Sequence, residues 1–221
     1  MPYSSEPTHE PVARNTLFYT LLLPAHNEAE NILPTIRALA HALRAEGIPF
    51  ELLVVNDNST DDTPDVLESA RSDYPELRVV HNTPPGGLGR AVRFGLKHFE
   101  GDVVAIVMAD LSDAPADVIA CYRKIEAGYD CAFGSRFLPG SEVTAYPPVK
   151  LIVNRIGNLV IRILFHTRHN DMTNAFKVYH RRVIENITPL HAAHFNTTIE
   201  MSLSALIRPY STAPTPIKSP G

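Results

Sequence analysis

The stretch VVAIVMADLSDAP, Val103 to Pro115, carries an uncharged apolar run directly into two carboxylates, Asp110 and Asp113, and then into a segment of helical spacing opened by Pro115. An unbroken, β-branched-rich run of this kind suits a strand buried on both faces, as in a parallel sheet. The same grammar recurs at LFYTLLL (17–23), FELLVV (50–55), LRVVH (77–81) and DCAFG (130–134). Helical periods fill the gaps, over 30–46, 62–73, 88–99 and 114–127, and that alternation predicts a mostly parallel, Rossmann-like sheet flanked by crossover helices. In the first helix Ile32, Ile36, Leu39, Ala40 and Leu43 share one face and Gly47 supplies the stop.

The chain has 221 residues, with 44% apolar and 20% charged residues, which is ordinary globular composition. It needs no disulfide framework at this size. Its two cysteines, Cys121 and Cys131, form no metal-type array and read as buried thiols of a reducing compartment. A net charge of −4 argues against a general nucleic-acid binder, so any cationic site has to be local. The start MPYSSEPTHEPVARN lacks the layout of a secretory signal, and no run reaches the ~18 apolar residues of a spanning helix. Residues 1–15 and the stretch RPYSTAPTPIKSPG are rich in Pro, Ser and Thr, so both ends are expected to be loosely ordered. This leaves a flexible N-terminal tail over 1–15, a domain over 16–208 and a C-terminal tail, a candidate truncation, over 209–221.

Ligands of open α/β sheets bind beyond the carboxyl ends of the strands. Here those positions are polar: PAHNE (24–28), NDNSTDD (56–62), ADLSD (109–113) and GSR (134–136). The third strand is followed by NTPPGGLGRA, whose glycines open a helix and let backbone N–H groups approach a phosphate. Each piece also has a plain structural reading: Asn27 and Asp61 as caps, Asp113 as a helix start before Pro115, the glycines as a turn. The glycine loop lacks the spacing and position of a dinucleotide fingerprint, and no P-loop is present.

Six collinear segments, LLLPAHNEAENI, ELLVVNDNSTDDT, GLGRAVRFGL, VMADLSD, GYDCAFGSR and NDMTNAFKVYHR, resemble the family 2 glycosyltransferases, and within them the dolichol-phosphate mannosyltransferase-like branch that makes polyprenyl-phosphate sugars. The resemblance covers roughly residues 18 to 208. It implies the GT-A fold of nucleotide-diphospho-sugar transferases and transfer of a sugar with inversion. Pro24, His26 and Glu28 would then line the nucleoside pocket, Asp57 would face the base, and Gly89 and Arg90 would join the nucleotide-sugar site. Asp110 would meet the donor diphosphate. The family commonly has Asp-Ala-Asp at this point, whereas this chain reads Met108-Ala109-Asp110, without the first carboxylate.

A departing nucleoside diphosphate is multiply charged, and a hard divalent cation with oxygen ligands, Mg²⁺ or Mn²⁺, would stabilise it. Asp110 is the expected ligand. Asp113 is either a second ligand or the start of the next helix, depending on whether DLSD turns back on itself. The polyprenyl phosphate acceptor needs cations rather than a strong base; by resemblance Arg136, Lys150 and Asn154 would hold it. Asp171 would orient the donor sugar or act as a base for a hydroxyl acceptor, the plain alternative being a turn residue.

Residues 143–170 contain no Asp or Glu but hold Lys150, Arg155, Arg162 and Arg168 beside the stripe Ile152, Ile156, Leu159, Val160 and Ile163. Such a helix either lies in an anionic membrane interface or packs on the sheet. The first option makes the protein cytoplasmic and peripheral on the membrane. Competing functions are transfer to a glycan hydroxyl, or nucleotide binding without catalysis. The processive synthases are excluded, because their Gln-x-x-Arg-Trp signature needs a tryptophan and the chain has none. After EMSLSALIR the resemblance implies a strand, a Pro-Ile step and a basic closing segment, where this chain continues to PIKSPG.

Overall fold

Seven strands form one sheet because two alternating sets of apolar side chains, one on each face, both find helices to cover them. The computed structural model describes residues 16–144, 148–167 and 169–220, without the side chains of 142–151, 219 and 220. Within it, β1 (Tyr19–Ala25), β2 (Phe50–Asn56), β3 (Leu77–His81), β4 (Val103–Ile106) and β5 (Cys131–Ser135) alternate with α1 (Ile32–Ala45), α2 (Thr63–Ala70), α3 (Leu88–Gly95) and α4 (Pro115–Glu126). Then follow β6 (Glu142–Thr144), α5 (Pro148–Phe165), β7 (Lys177–His180), α6 (Arg181–Ile187), α7 (Asn196–Leu206), β8 (Thr212–Pro216) and β9 (Lys218–Pro220). The main sheet has the order β3-β2-β1-β4-β7-β5-β8, and β6 pairs separately with β9.

Strand periodicity divides the core in two. Leu21, Leu23, Leu52, Val54 and Val103 pack with Ile36, Leu39, Leu67 and Val118 of α1, α2 and α4. Leu22, Leu53, Val55, Val104 and Ile106 pack with Val92, Val183, Met201 and Ala205 of α3, α6 and α7. Every residue of β1 and β2 is therefore buried. The expected stripe of α1 is the buried one, and Gly47, at φ 64°, ends the helix in the left-handed region. Both cysteines are buried free thiols.

One element adds to the expectations and one corrects them. The segment NDMTNAFKVYH, for which the sequence predicts no strand, contains β7, which runs antiparallel between β4 and β5. Its four residues are too few to print a period. The C-terminal stretch expected to be loose supplies β8, which pairs in parallel with β5 from Cys131↔Thr212 to Ser135↔Pro216. Ala213, Thr215 and Ile217 are buried while Pro214 and Pro216 face outward, so a period of two was hidden under polar composition. The prolines fit because β8 is the sheet's edge strand, where their missing N–H groups cost little. The strand and the step Pro216-Ile217 implied by the resemblance are thus both present. Residues 1–15 lie outside the described residues. Among the described residues no helix is long and apolar enough to cross a membrane.

Candidate active site

Six parallel strands bring their carboxyl ends to one edge of the sheet, and antiparallel β7 brings the loop before it, Asp171 to Phe176, to the same edge. His26, Asp57, Asp110, Arg136 and Asp171 therefore meet there although 145 positions of sequence separate the first from the last.

On the β1–β2 side, His26 Nδ1 lies 2.7 Å from the Asp57 carbonyl oxygen. Asn27, at φ 57°, accepts the Thr60 N–H at 2.8 Å, and its own N–H donates to Ser59 Oγ. The Glu28 N–H donates to Thr63 Oγ1, while its carboxylate accepts from the Asn31 amide. The Asp61 carboxylate accepts the Ala29 and Thr63 N–H groups without being the cap of α2, which is Asp62, and the Thr63 hydroxyl holds it below the usual carboxylate range. Pro24 is buried inside β1, whereas His26 and Asn27 are exposed and Glu28 is half-buried.

Asp57, expected to face a base, is buried and engaged by the protein. Its Oδ1 accepts from Asn82 Nδ2 at 2.7 Å and Asn58 Nδ2 at 3.1 Å, and its Oδ2 from the Gly87 N–H at 2.6 Å. It thus fixes the glycine loop to the end of β2. Gly89 has a packing role: a Cβ there would lie 2.6 Å from the His194 carbonyl oxygen and collide with the Thr197 hydroxyl, so the missing side chain lets α3 abut α7. Arg90 ties the first turn of α3 back to the Gly86 carbonyl at 3.0 Å. Asn82 was not singled out in the sequence; only its place directly after a strand could have flagged it.

Beyond β4 the chain does turn back. Leu111, at φ 60°, reverses it, and Asp113 accepts the Met108 N–H at 2.9 Å. Helix α4 begins at Pro115 with Ala114 as its cap residue and no side-chain cap bond, so Asp113 does not start the helix. Burial pushes the Asp113 carboxyl up to about 7; the charges of Asp110 and Asp117 add to this, and Arg136 opposes it. Asp110 is exposed, and its Oδ1 accepts the Ser112 N–H at 3.0 Å. One exposed carboxylate beside one desolvated carboxylate suits a divalent cation, whose charge would offset the cost of ionising Asp113. Among the described residues no group of three or more His, Cys, Asp or Glu is placed to hold an ion by itself, so a bound phosphate and water would have to complete the shell.

At the end of β5, Arg136 is held by Asp171. Nε and Nη2 each donate to the Asp171 carboxylate at 2.8 Å, and the Arg136 backbone N–H donates to it at 3.0 Å. The Asp171 side chain is 0% exposed and the Arg136 side chain 11%. Both carboxylate oxygens are engaged, and the geometry makes Asp171 the anchor of Arg136. The loop after Asp171 is braced from below by Lys177 Nζ, which donates to the carbonyls of Met172 and Asn174. Burial pushes the Lys177 ammonium down to about 7. Lys177 and the buried Asn158 of α5 are structural members of the site that sequence reading missed: Lys177 sits in an unrecognised strand, and Asn158 on the face opposite the apolar stripe.

The expected stripe on α5 is exposed. Ile152, Ile156, Leu159, Val160 and Ile163 point outward with Val153 and Leu164, so the alternative of packing this stripe on the sheet does not hold. Arg155 and Arg136 both lie with their guanidinium carbons 5.4 Å from the Phe137 ring centroid, which sets α5 beside the Arg136 corner. Asn154 is half-buried on α5; the side chain of Lys150, and Arg168 altogether, lie outside the described residues.

Comparison with known proteins bears on family and fold. Residues 20–188 match the model for "Glycosyl transferase family 2". The chain is 30% identical over 205 residues to polyprenol monophosphomannose synthase of Mycolicibacterium smegmatis, covering 89% of this chain and 75% of that protein. It is 29% identical over 170 residues to a dolichol-phosphate mannosyltransferase of Pyrococcus furiosus, covering 76% of this chain and 47% of that one, so it spans about half of the archaeal protein's length. Among solved structures, glucosyl-3-phosphoglycerate synthase of Mycobacterium tuberculosis superposes with a TM-score of 0.72 at 19% identity, covering 93% of this chain and 73% of the other. The same enzyme with Mn²⁺, uridine diphosphate and glucosyl-3-phosphoglycerate gives 0.71 at 16% identity, covering 96% and 76%. These matches bear out the GT-A fold.

Proposed function

The chain belongs to glycosyl transferase family 2, and from that premise we propose that it is an inverting transferase moving a sugar from a nucleotide-diphosphate donor to a polyprenyl phosphate at a membrane surface. The observation that carries this reading is the exposed apolar face of α5 beside the Arg136 corner. A lipid phosphate requires a cationic seat next to a surface that can enter a bilayer interface. Exposed Arg155 and Arg162 on α5 add the charge that anionic headgroups favour. The protein named as a polyprenol monophosphomannose synthase supports the same acceptor class.

Each residue then has a physical task. His26, Glu28 and the glycine loop pinned by Asp57 receive the nucleoside, with Arg90 fixing the loop. Asp110, with Asp113, would hold Mg²⁺ or Mn²⁺, which supplies charge neutralisation at the diphosphate; the M. tuberculosis enzyme was solved with Mn²⁺ and with Mg²⁺ beside uridine diphosphate. Arg136, kept rigid by Asp171, presents the acceptor phosphate together with Lys150 and Asn154. A phosphate oxygen attacks the anomeric carbon while the bond to the nucleoside diphosphate breaks. That nucleophile is already ionised near neutral pH and needs no base, which agrees with Asp171 being occupied.

Transfer to a glycan hydroxyl is the second reading. The two separate in one experiment: a panel of nucleotide sugars is offered with polyprenyl phosphate or with glycan acceptors, with and without Mg²⁺ or Mn²⁺. The expected product is a metal-dependent lipid-phosphate sugar. Asp110→Asn should lower metal-dependent donor affinity by about tenfold or more. Unchanged donor binding in that variant removes Asp110 from the metal site, and binding without transfer in the wild type points to a silent nucleotide binder.

A further inference from the structure

Helix α5 is inverted relative to an ordinary surface helix. Its large aliphatic residues face outward, Leu164 being 68% exposed, and the side turned to the protein carries Asn154, Asn158 and Ile161. Asn158 is 2% exposed. Burying an amide costs free energy unless its hydrogen bonds are made, and here they are. Its Nδ2 donates to the Asn154 carbonyl at 2.9 Å and to Thr173 Oγ1 at 3.0 Å, and its Oδ1 accepts the Met172 N–H at 2.6 Å.

Those partners belong to the loop that holds Arg136. Thr173 Oγ1 lies 3.3 Å from Asp171 Oδ1 and 3.4 Å from Arg136 Nη2, at the long end of hydrogen bonding. One amide thus joins the helix that bears the outward apolar face to the carboxylate that fixes Arg136. The Phe137 ring, near both Arg155 of α5 and Arg136, provides a second, looser contact between the same two parts. A leucine at 158 would fit an apolar interior but would leave the Met172 N–H without a partner.

We propose that Asn158 is a positioning residue that couples the seating of α5 on a lipid surface to the order of the Asp171–Thr173 loop, and through it to Arg136. It rests on the reading of α5 as the lipid-facing element. Seating α5 restrains Asn158, Asn158 restrains Met172 and Thr173, and Asp171 then holds Arg136 where the acceptor phosphate arrives. Coupling of this kind needs contiguous contacts between two elements, and the side-chain chain just described supplies them.

The test measures backbone amide exchange on the whole protein, with and without vesicles of phosphatidylcholine and phosphatidylglycerol in equal parts. Vesicle addition is expected to slow exchange at Arg136, Met172 and Thr173 by about tenfold in the wild type, the equivalent of one net hydrogen bond. Asn158→Ala should still sediment with the vesicles yet lose that slowing. Thr173→Val, which removes only the bridging hydroxyl, should lose part of it and guards against a folding defect in the first variant. A purely structural role for Asn158 would speed exchange with and without vesicles alike, and that result overturns the proposal. Equal slowing in wild type and both variants also overturns it, as does a wild type that binds vesicles with no slowing or does not bind them. None of these measurements uses a sugar donor, so a failure of the transferase reading, seen as no transfer with any donor, is registered separately.

Discussion

The two halves of the site edge are held together by different chemistry. Up to α3 the loops are pinned by a buried carboxylate that accepts only neutral donors: Asp57 takes hydrogen bonds from Asn82, Asn58 and the Gly87 N–H. After β5 the corresponding anchor is a buried ion pair, Asp171 with Arg136, braced by Lys177 and Asn158. The first half also buries its apolar helix faces, whereas α5 exposes its own. Under the proposed function the contrast has a reason: a donor pocket for a soluble nucleotide is an ordinary protein surface, whereas a corner that presents a cation next to lipid leaves a helix uncovered.

The sharpest way to break this contrast is Asp171→Ala. It removes the carboxylate from beside a guanidinium whose side chain is 11% exposed. Removing one partner of a buried pair typically costs about 3–5 kcal/mol, and urea denaturation should register a loss of that size. The matching change on the β1–β2 side is Asp57→Asn, where shape is retained and the partners are neutral. The expected loss is about 1.5–3 kcal/mol, the range for hydrogen bonds to a charged group, accompanied by weaker nucleotide binding as the glycine loop loosens. Equal losses in the two variants would erase the distinction between the halves.

Legibility in the sequence follows the same division. Strands β1 to β5 and helices α1 to α4 were readable because both core clusters impose their period on long segments, and Gly47 and Pro115 mark boundaries. The convergence of PAHNE, NDNSTDD, ADLSD and GSR on one edge followed from the parallel topology. Individual partners did not. Nothing in the string DLSD says that Leu111 reverses the chain and sends Asp113 back to the Met108 N–H. The sequence leaves Asp171 open between orienting the donor sugar, acting as a base and holding a turn, because its pairing with Arg136 depends on antiparallel β7, four residues long and inserted between β4 and β5. The β8 period was masked by prolines that only an edge strand tolerates.

Lys177 sharpens the comparison through pH. Its folded value near 7 lies well below the unfolded value of about 10.4. Between those limits the unfolded chain holds the proton and the folded chain does not, so this residue makes stability rise with pH across that window. Below about pH 7 both states hold it and the slope vanishes. In Lys177→Met the rise is absent, so the destabilisation caused by losing the Met172 and Asn174 contacts should be about 2 kcal/mol larger near pH 9 than near pH 7. Urea midpoints of both proteins at the two pH values provide the measurement. A destabilisation that does not change with pH would mean that Lys177 stays charged across the window and braces the loop as a cation.

The smallest stability effect belongs to the outward face of α5. Ile163 is 64% exposed, so Ile163→Glu removes no core contact and should move the urea midpoint by no more than about 0.5 kcal/mol. In an ordinary amphipathic surface helix an aliphatic stripe cannot be charged so cheaply, because the stripe is the core-facing side. The same substitution should nevertheless abolish sedimentation with anionic vesicles, since it places a carboxylate on the apolar face and opposes the attraction contributed by Arg155 and Arg162. Donor binding at the other half of the edge should stay as it was. A large loss of stability would mean that this face is covered within the protein. An unchanged vesicle affinity would mean that lipid is held elsewhere, and the exposed aliphatic residues would then need a different occupant.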